Sequence, residues 1–392
     1  MALDLSGDDG STRRGSAIVV GCDHTSGLEV AGLPLWKRAV LTARRAGFDR
    51  IVVLTGGSTG AIAAEIARDP RLGGVVVDSS EASPSWLAAA SRWVVHPASA
   101  LVDADHLRRL SETSGSPAAT PRAAPFAADR EDLARWSARG WTPIDPPPEA
   151  PVQTVGPGTL QVRVHGPADV PGAEDALFRS LARNDGNPFA RYVDRAMSRA
   201  ISRRLARTSV TPNAITVFST ALGIAGALVL LRPSYAAGVA GAFLFLAHTV
   251  VDGCDGEIAR LKFQTSRIGA TLDLVGDNLV HAVLFPCLAL RFHFRDPSGP
   301  YVWLGAAAVA GMVASWAAVW IVIVRREPSS AERRIFEAFA NREFAYLLFV
   351  LALAGRLEWF LRLMVVGIWA FPLALFAPSL ARRVPARSLR RG

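Results

Sequence analysis

The feature that most constrains this chain is a series of long apolar runs in its second half. They recur from about Asn213 onward, and each needs roughly 20 residues to cross the hydrocarbon layer of a membrane. Six spans are predicted, at 213–231, 235–256, 268–291, 301–324, 344–357 and 359–380. The fifth is the shortest, and it is interrupted by Arg356 and Glu358. The sequence therefore predicts an all-α six-helix transmembrane domain.

Basic residues are distributed unevenly among the loops between these spans. The loops 257–267 and 325–343 and the tail 382–392 are rich in Arg, whereas the alternate loops are shorter and less basic. The positive-inside rule places such basic loops in the cytoplasm. We therefore expect a multi-pass protein of the cell (inner) membrane whose N-terminal domain and C-terminus are cytoplasmic. The formal net charge of +9 follows this topology, which argues against nucleic acid as a partner.

Residues 16–171 have the composition of a soluble domain, with mixed charge and many Pro and Gly residues. Segments such as "SAIVVGC" and "DRIVVLTGG" alternate with helical patterns such as "PLWKRAVLTARRAGF". That alternation predicts a doubly wound α/β fold with a parallel sheet. The Pro-, Ala- and Ser-rich stretch 111–132 predicts a loop, and residues 1–15, which lack the apolar core of a signal peptide, predict a disordered tail.

Residues 172–209 are mostly helical in pattern and rich in Arg. The arginines and the apolar residues each recur every fourth position, at Arg191, Arg195, Arg199 and Arg203 and at Phe189, Val193, Met197 and Ile201. This profile is typical of an amphipathic juxtamembrane helix on the membrane surface; the alternative is a linker helix with a solvated basic face. The transmembrane domain follows at 210–381.

Four aspartates lie between two apolar runs, within "VDGCDGEIARLKFQTSRIGATLDLVGDNLVH". Asp252 and Asp255 share a face of one helix by their spacing, and Asp273 and Asp277 share a face of the next. The short loop between these helices makes them antiparallel, so all four carboxylates converge. An unpaired cluster would be costly at low dielectric, and carboxylate oxygens suit a pair of Mg²⁺ or Mn²⁺ ions that clamp a diphosphate. Helix caps or solvated charges are the alternative, but four aspartates interleaved with small residues argue against it.

The neighbours of the aspartates favour a large anionic ligand. Gly256, Ala259 and Gly269 leave room at the backbone, and Arg260 is placed to pair with a phosphate. In a later loop, Arg326, Arg333 and Arg334 are candidates for binding the phosphate of an acceptor. The topology alone also accounts for these three arginines.

The pattern D-x2-D-G-x2-A-R-x8-G-x3-D-x3-D is complete between Asp252 and Asp277, and residues 172–380 resemble the CDP-alcohol phosphotransferase family. The resemblance implies that Asp252, Asp255 and Asp273 ligate two metal ions. It implies that Asp277 completes the site and acts as general base, so that an alcohol attacks the β-phosphorus of a CDP-alcohol, releases CMP and forms a phosphodiester. "TPNAIT" resembles the start of the family's first span, which implies that Asn213 and Thr216 line the nucleotide pocket. It also implies a homodimer.

The first domain resembles a sugar-phosphate-type nucleotidyltransferase, and the fusion resembles bifunctional inositol-phosphate cytidylyltransferase/di-myo-inositol phosphate phosphate synthases. The nucleotide loop departs from that pattern: it is shortened to "GCDHTSGLEVAGLP" and lacks the expected Lys. His96 and His165 stand near places where metal-binding aspartates are expected. We expect that this domain has lost cytidylyl transfer. A bifunctional enzyme, and a non-catalytic membrane scaffold, are the alternatives.

Overall fold

The computed structural model describes residues 17–55, 59–79, 85–112, 125–139, 160–181, 195–325, 328–339 and 344–383. Its strands are β1 (Ala17–Cys22), β2 (Glu29–Val30), β3 (Leu33–Pro34), β4 (Arg50–Thr55), β5 (Val76–Asp78), β6 (Arg92–Pro97), β7 (Ala100–Val102), β8 (Phe126–Asp129) and β9 (Gln161–Arg163). Its α-helices are α1 (Leu35–Arg45), α2 (Thr59–Arg68), α3 (Ala104–Glu112), α4 (Arg130–Ser137), α5 (Val170–Leu181), α6 (Arg195–Ala206), α7 (Pro212–Leu230), α8 (Tyr235–Leu261), α9 (Arg267–His293), α10 (Tyr301–Val319), α11 (Ser330–Phe339), α12 (Phe344–Leu353) and α13 (Leu357–Arg383).

The N-terminal half is a mixed α/β unit built on a five-stranded sheet in the order β5-β4-β1-β6-β8. The first four of these strands pair in parallel, as the buried runs in the sequence predict, and β8 pairs antiparallel with β6. The prediction that 111–132 is a loop was wrong at Phe126–Asp129, which form β8. That strand exists because its backbone pairs with β6 and because Phe126 is fully buried, neither of which a local composition reveals.

The C-terminal half is helical. Within the described residues, five helices are long and apolar enough to cross a membrane: Pro212–Leu230, Tyr235–Leu261, Arg267–His293, Tyr301–Ile323 and Leu357–Pro378. They match five of the six predicted spans closely. The stretch from Trp320 to Val324 continues α10 as a π-helical turn.

The remaining predicted span, 344–357, is not confirmed at membrane-spanning length. It contains α12, an apolar helix of 10 residues, which at about 1.5 Å per residue covers only half of the hydrocarbon layer. The helix ends because Gly355 adopts φ +67 and the Arg356 N–H donates back to Leu351 O at 2.7 Å. This is a glycine C-cap. Helix α12 nevertheless packs against α8 and α13.

Helix α6 buries a stripe of small residues against the protein, and its position on a membrane surface stays a prediction. Ser198, Ser202 and Ala206 are buried, whereas Met197 is 46% exposed. The three buried residues are four apart, so they form one stripe of small side chains. That stripe packs against α8, and the exposed Met197 is left facing outward.

Helices α7 and α8 pack backbone to backbone. A Cβ placed on Gly241 would lie 2.7 Å from the Gly226 carbonyl oxygen and 2.8 Å from the Leu230 amide nitrogen. The two glycines therefore permit an approach that no larger residue allows. This close packing brings α7 beside the aspartates of α8.

Candidate metal centre

Three of the predicted aspartates form one cluster. Asp252 and Asp255 on α8 and Asp273 on α9 each place a carboxylate oxygen within 4.8 Å of the others. The first two side chains are buried and the third is half-buried. Residues 262–266 turn the chain between the helices, so the antiparallel arrangement predicted from the short loop is what brings the carboxylates together.

Helix α7 supplies hydroxyl groups to two of these carboxylates. Thr216 Oγ1 donates to Asp255 Oδ2. Ser219 Oγ shares its single hydrogen between Thr216 O at 2.9 Å and Asp252 Oδ1 at 3.3 Å. Thr216 was predicted to line a nucleotide pocket, and its hydroxyl lies on a carboxylate of the cluster. Ser219 was missed, although its spacing of three residues from Thr216 places both on one face of α7.

Asp277 lies one helical turn beyond Asp273 and has a different neighbour. Its Oδ1 is 4.0 Å from His248 Nε2. His248 is buried, and its Nδ1 lies 2.9 Å from the carbonyl oxygen of Ser219. A carbonyl can only accept, so Nδ1 carries the hydrogen and the ring is held with Nε2 toward Asp277. The sequence left His248 open between a proton relay and a hydrogen-bonded interior residue, with the second favoured.

The predicted nucleotide-contact residues lie close to one another in pairs. A Cβ on Gly256 would be 3.3 Å from Arg260 Nη1, so the guanidinium lies along the glycine backbone. A Cβ on Gly269 would be 3.0 Å from Asn213 Oδ1, which joins the start of α7 to the start of α9. Ala259 is half-buried on α8, two residues before the end of that helix.

The candidate acceptor residues are less closely tied to the cluster. Arg333 and Arg334 are exposed on α11, and Arg334 Nε donates to Ser330 O at 3.3 Å within the same helix. Helix α11 packs against α13. Arg326 lies outside the described residues.

Behind the carboxylates, α8 carries a further acidic side chain. Glu257 is buried and accepts a hydrogen bond from Ser198 Oγ of α6 at 2.9 Å. Cys254 lies on the same side and donates from its thiol to Ser198 O at 3.6 Å. Helix α8 therefore presents Asp252 and Asp255 toward α7 and α9, and Cys254 and Glu257 toward α6.

A sequence model described as CDP-alcohol phosphatidyltransferase matches residues 209–376, which contain all four aspartates. Over these residues the chain is similar to that family. The resemblance drawn from the aspartate motif is thereby confirmed, and we refer to the segment as the transferase domain.

Curated relatives fall into two groups. The chain is 31% identical over 163 residues to "Bifunctional IPC transferase and DIPP synthase" of Aquifex aeolicus, covering 41% of this chain and 36% of that protein. It is 31% identical over 196 residues to the protein of the same name in Rubrobacter xylanophilus, covering 50% and 42%. It is 34% identical over 98 residues to "Phosphatidylinositol phosphate synthase" of Mycobacterium bovis, covering 24% and 44%. The chain thus matches less than half the length of each.

Among solved structures, the chain resembles the phosphatidylinositol phosphate synthase PgsA1 of Mycobacterium tuberculosis in its apo form, at 23% identity and a TM-score of 0.33, covering 47% of this chain and 92% of that one. The same enzyme with CDP-DAG bound matches at 24% identity and a TM-score of 0.31, covering 48% and 92%.

Proposed function

We propose that the protein is an integral-membrane CDP-alcohol phosphotransferase. In the reaction, the hydroxyl oxygen of an acceptor alcohol bonds to the β-phosphorus of a CDP-alcohol, the bond from that phosphorus to the bridging oxygen breaks, and CMP leaves. The product is a phosphodiester. The observation that carries the proposal is the convergence of Asp252, Asp255 and Asp273 within 4.8 Å, in a segment that is similar to a family of this chemistry.

The residues present fit divalent metal ions. Three carboxylates that converge with two of them buried would repel one another strongly without a cation, and hard oxygen ligands suit Mg²⁺ or Mn²⁺. When bound, two such ions supply charge neutralisation at the diphosphate and at the attacked phosphorus. Thr216 and Ser219 hold the carboxylates of Asp255 and Asp252 in orientation by hydrogen bonds.

Asp277 is our candidate both for the general base and for the fourth carboxylate ligand of the metal site. Its carboxylate accepts the proton of the acceptor hydroxyl as the oxygen attacks. His248 lies 4.0 Å away and is itself fixed by the Ser219 carbonyl, so it limits the rotation of Asp277. Proton transfer is efficient only when the base is held within reach of the hydroxyl.

We assign donor binding to the small and polar residues that flank the carboxylates. Arg260 lies along Gly256, and Asn213 lies against Gly269, so both glycines keep the backbone accessible beside a polar group. Thr216 and Ala259 complete this proposed CDP-binding set. Arg326, Arg333 and Arg334 are the proposed contacts for a phosphate on the acceptor.

The aspartate motif is expected to bind the CDP part that all donors of this class share, so it does not distinguish between two candidate donors. A phosphatidylinositol phosphate synthase at 34% identity over 98 residues favours CDP-diacylglycerol and a phospholipid product. Relatives named as both IPC transferase and DIPP synthase favour CDP-inositol and a di-inositol phosphate product. A non-catalytic scaffold is disfavoured because all four motif aspartates are present.

For the architecture, we propose bounds of 16–171 for a doubly wound α/β domain, 172–209 for a juxtamembrane helix and 210–381 for a six-helix transferase domain that includes α12. The Arg-rich loops support a cytoplasmic position for the N-terminal domain, the carboxylate cluster and the C-terminus. We also propose a homodimer.

The N-terminal domain is proposed to be inactive in cytidylyl transfer. Its shortened loop, "GCDHTSGLEVAGLP", holds the β2–β3 hairpin, and Val30 and Ala31 of that hairpin are buried in a cluster that includes Ala206 and Leu261 of the helical half. The test uses the full chain with CTP, Mg²⁺ and inositol 1-phosphate. We expect no pyrophosphate release, and release at an ordinary enzymatic rate of roughly 1 per second or more would support the bifunctional alternative instead.

The substrate pair is tested with purified full-length protein in detergent and Mg²⁺. CDP-diacylglycerol and CDP-inositol are each combined with inositol, inositol 1-phosphate and glycerol 3-phosphate, and CMP release is followed. We expect release with one donor and one phosphorylated acceptor. Asp277→Asn should lower the maximal rate by about 10²–10⁴-fold; full turnover by this variant would show that the general base is another group.

A further inference from the structure

The corner between α8 and α9 sets the geometry of the carboxylate cluster. Asp252 and Asp255 lie on α8 within three turns of its end at Leu261, and Asp273 lies two turns after α9 begins at Arg267. The intervening residues include Phe263, which has φ +53, a conformation that costs free energy for a residue with a Cβ. Contacts that fix the conformation of this corner therefore also fix the distance between the aspartates of α8 and Asp273 of α9.

Arg38 of α1 reaches this corner from the N-terminal domain. Its Nη1 donates to Leu261 O at 2.9 Å, and its Nη2 donates to Val30 O at 2.7 Å. The guanidinium carbon lies 5.8 Å from the ring centre of Phe263. Arg38 is only 3% exposed, and burial lowers its pKa to about 10 while Glu174 opposes the shift. It is therefore charged at neutral pH and complements the carbonyl end of α8.

Arg71 binds the next carbonyl along the chain. Its Nη1 donates to Lys262 O at 2.7 Å. Its other donors hold Asp69, with Nε at 2.9 Å from Oδ1 and Nη2 at 2.6 Å from Oδ2. Lys37 Nζ also lies 3.0 Å from Asp69 Oδ2. This bidentate pairing fixes the plane of the Arg71 guanidinium, so that its Nη1 points toward Lys262 O.

The two arginines lie beside an apolar contact between the same partners. Val30, Ala31 and Leu35 of the N-terminal half share one buried cluster with Cys254 and Ile258 of α8. Gly32, with φ +75, lies directly against the Ala206 carbonyl oxygen. The hairpin that replaces a nucleotide loop is thus packed against the rear of the aspartate helix.

We propose that the N-terminal domain is a positioning element for the metal centre, acting through Arg38 and Arg71 on the carbonyls of Leu261 and Lys262. Without these contacts the corner relaxes, the carboxylates of α8 and α9 separate more freely, and metal ions bind more weakly because the site must be ordered at the moment of binding. The inference rests on the proposed function, since it takes the cluster to be a metal site. Arg38 and Arg71 are positioning residues and touch no reacting group.

The experiment measures the affinity of the full-length protein for Mn²⁺ in detergent, without substrate, by electron paramagnetic resonance of free Mn²⁺. Arg38→Met and Arg71→Met are compared with the wild type and with the matched control Arg108→Met. Arg108 is an exposed arginine of the same domain that bonds Asp105 at 2.8 Å. We expect the dissociation constant to rise about 3- to 30-fold in the two test variants and to stay unchanged in the control.

Two further variants separate positioning from folding. Asp69→Asn should weaken Mn²⁺ binding through Arg71, so the double variant Asp69→Asn/Arg71→Met should be no weaker than Arg71→Met alone. Arg38→Lys, which keeps the charge, should recover part of the affinity. If Arg38→Met does not fold, Arg71→Met decides, because Arg71 is about one-third exposed, at 32%.

The outcomes are distinguishable. Wild-type affinity in both arginine variants would overturn the positioning role and leave the metal site intact. Absence of Mn²⁺ binding by the wild type would overturn the proposed function and this inference together.

Discussion

At the residue scale, Thr216 links the fold of α7 to the carboxylate cluster. Its hydroxyl donates to Asp255, which is buried. Thr216→Val keeps the shape of the side chain and removes the donor. Because loss of a hydrogen bond that orients a metal ligand typically costs 10- to 100-fold in affinity or activity, we expect a loss of about that size in Mn²⁺ affinity and in CMP release.

The matched control for this prediction is Thr220→Val. Thr220 is one turn further along α7, and its hydroxyl donates to the Thr216 carbonyl oxygen at 2.8 Å and to none of the aspartates. Equal losses in the two variants would show that Thr216 acts through the stability of α7 and not through Asp255.

His96 in β6 predicts a pH dependence of stability. Burial, and secondarily repulsion by His106, lowers its pKa to about 3. In the unfolded chain this histidine is protonated below about pH 6.5, whereas in the folded state it stays neutral down to its lowered pKa. The free energy of unfolding is therefore unaffected by His96 above pH 6.5 and decreases progressively as the pH falls toward 3. His96→Gln removes the titrating group. We expect the melting temperature of this variant to fall less than that of the wild type between pH 7 and pH 5.

The control for His96 is the exposed His165. His165→Gln should change the pH dependence much less than His96→Gln does. A wild-type curve with the same slope as that of His96→Gln would mean that His96 is not the group responsible.

At the carboxylate cluster, the spacing within one motif carries most of what the sequence can predict. The positions of Asp252, Asp255 and Asp273 follow from helical periodicity and a short loop, and the structure brings these three together. Ser219 was not assigned, and His248 was left open between a proton relay and an interior residue, because their roles depend on which side of α7 faces α8. That choice is made by tertiary packing and leaves only a weak trace in the sequence.

At the element scale, the contact between α7 and α8 depends on paired glycines. Gly241→Ala places a Cβ 2.7 Å from Gly226 O and 2.6 Å from Leu230 Cγ. Helix α8 must shift away from α7, and we expect a loss of about 1–3 kcal/mol in stability, measured as a fall in the melting temperature in detergent. The same shift should reduce CMP release, because it moves Asp255 away from Thr216.

Gly367→Ala in α13 is the control, since a Cβ there meets nothing within 4 Å. It should be neutral or stabilise the helix by up to about 1 kcal/mol, because Ala has the higher helix propensity. A similar loss at both glycines would contradict the close-packing account of α7 and α8.

Hydropathy predicts the long helices of the C-terminal half but not every element boundary. Five long spans follow from apolar length, which physical chemistry fixes through the thickness of the bilayer. Helix α12 ends early at Gly355 because of a backbone conformation, and β8 forms because β6 offers it a partner. The stripe of α6 that packs on α8 could not be predicted, since Ser198 and Ser202 are small and polar and carry no hydrophobic signal.

At the scale of the whole molecule, the α/β half and the transferase domain are joined by contacts far apart in sequence. Arg38 and Leu261 are separated by 223 positions, and Arg71 and Lys262 by 191. Local patterns carry no information on such pairs, so the sequence predicts two domains but not how they meet. The contacts give a proposed role to the α/β half: it supports the proposed metal centre of its neighbour.

Metal-dependent catalysis by the carboxylate cluster is tested most directly by CMP release from the purified full-length protein. The wild type is compared with Asp255→Asn and with the control Asp296→Asn. Asp296 is exposed beyond the far end of α9, and its carboxylate accepts hydrogen bonds from the backbone N–H and the hydroxyl of Ser298. We expect release by the wild type and by Asp296→Asn with Mg²⁺, none with a chelator, and a fall of about 10³-fold or more in Asp255→Asn, equivalent to roughly 4 kcal/mol of transition-state stabilisation. Undiminished release by Asp255→Asn, or by the wild type in a chelator, would contradict this expectation.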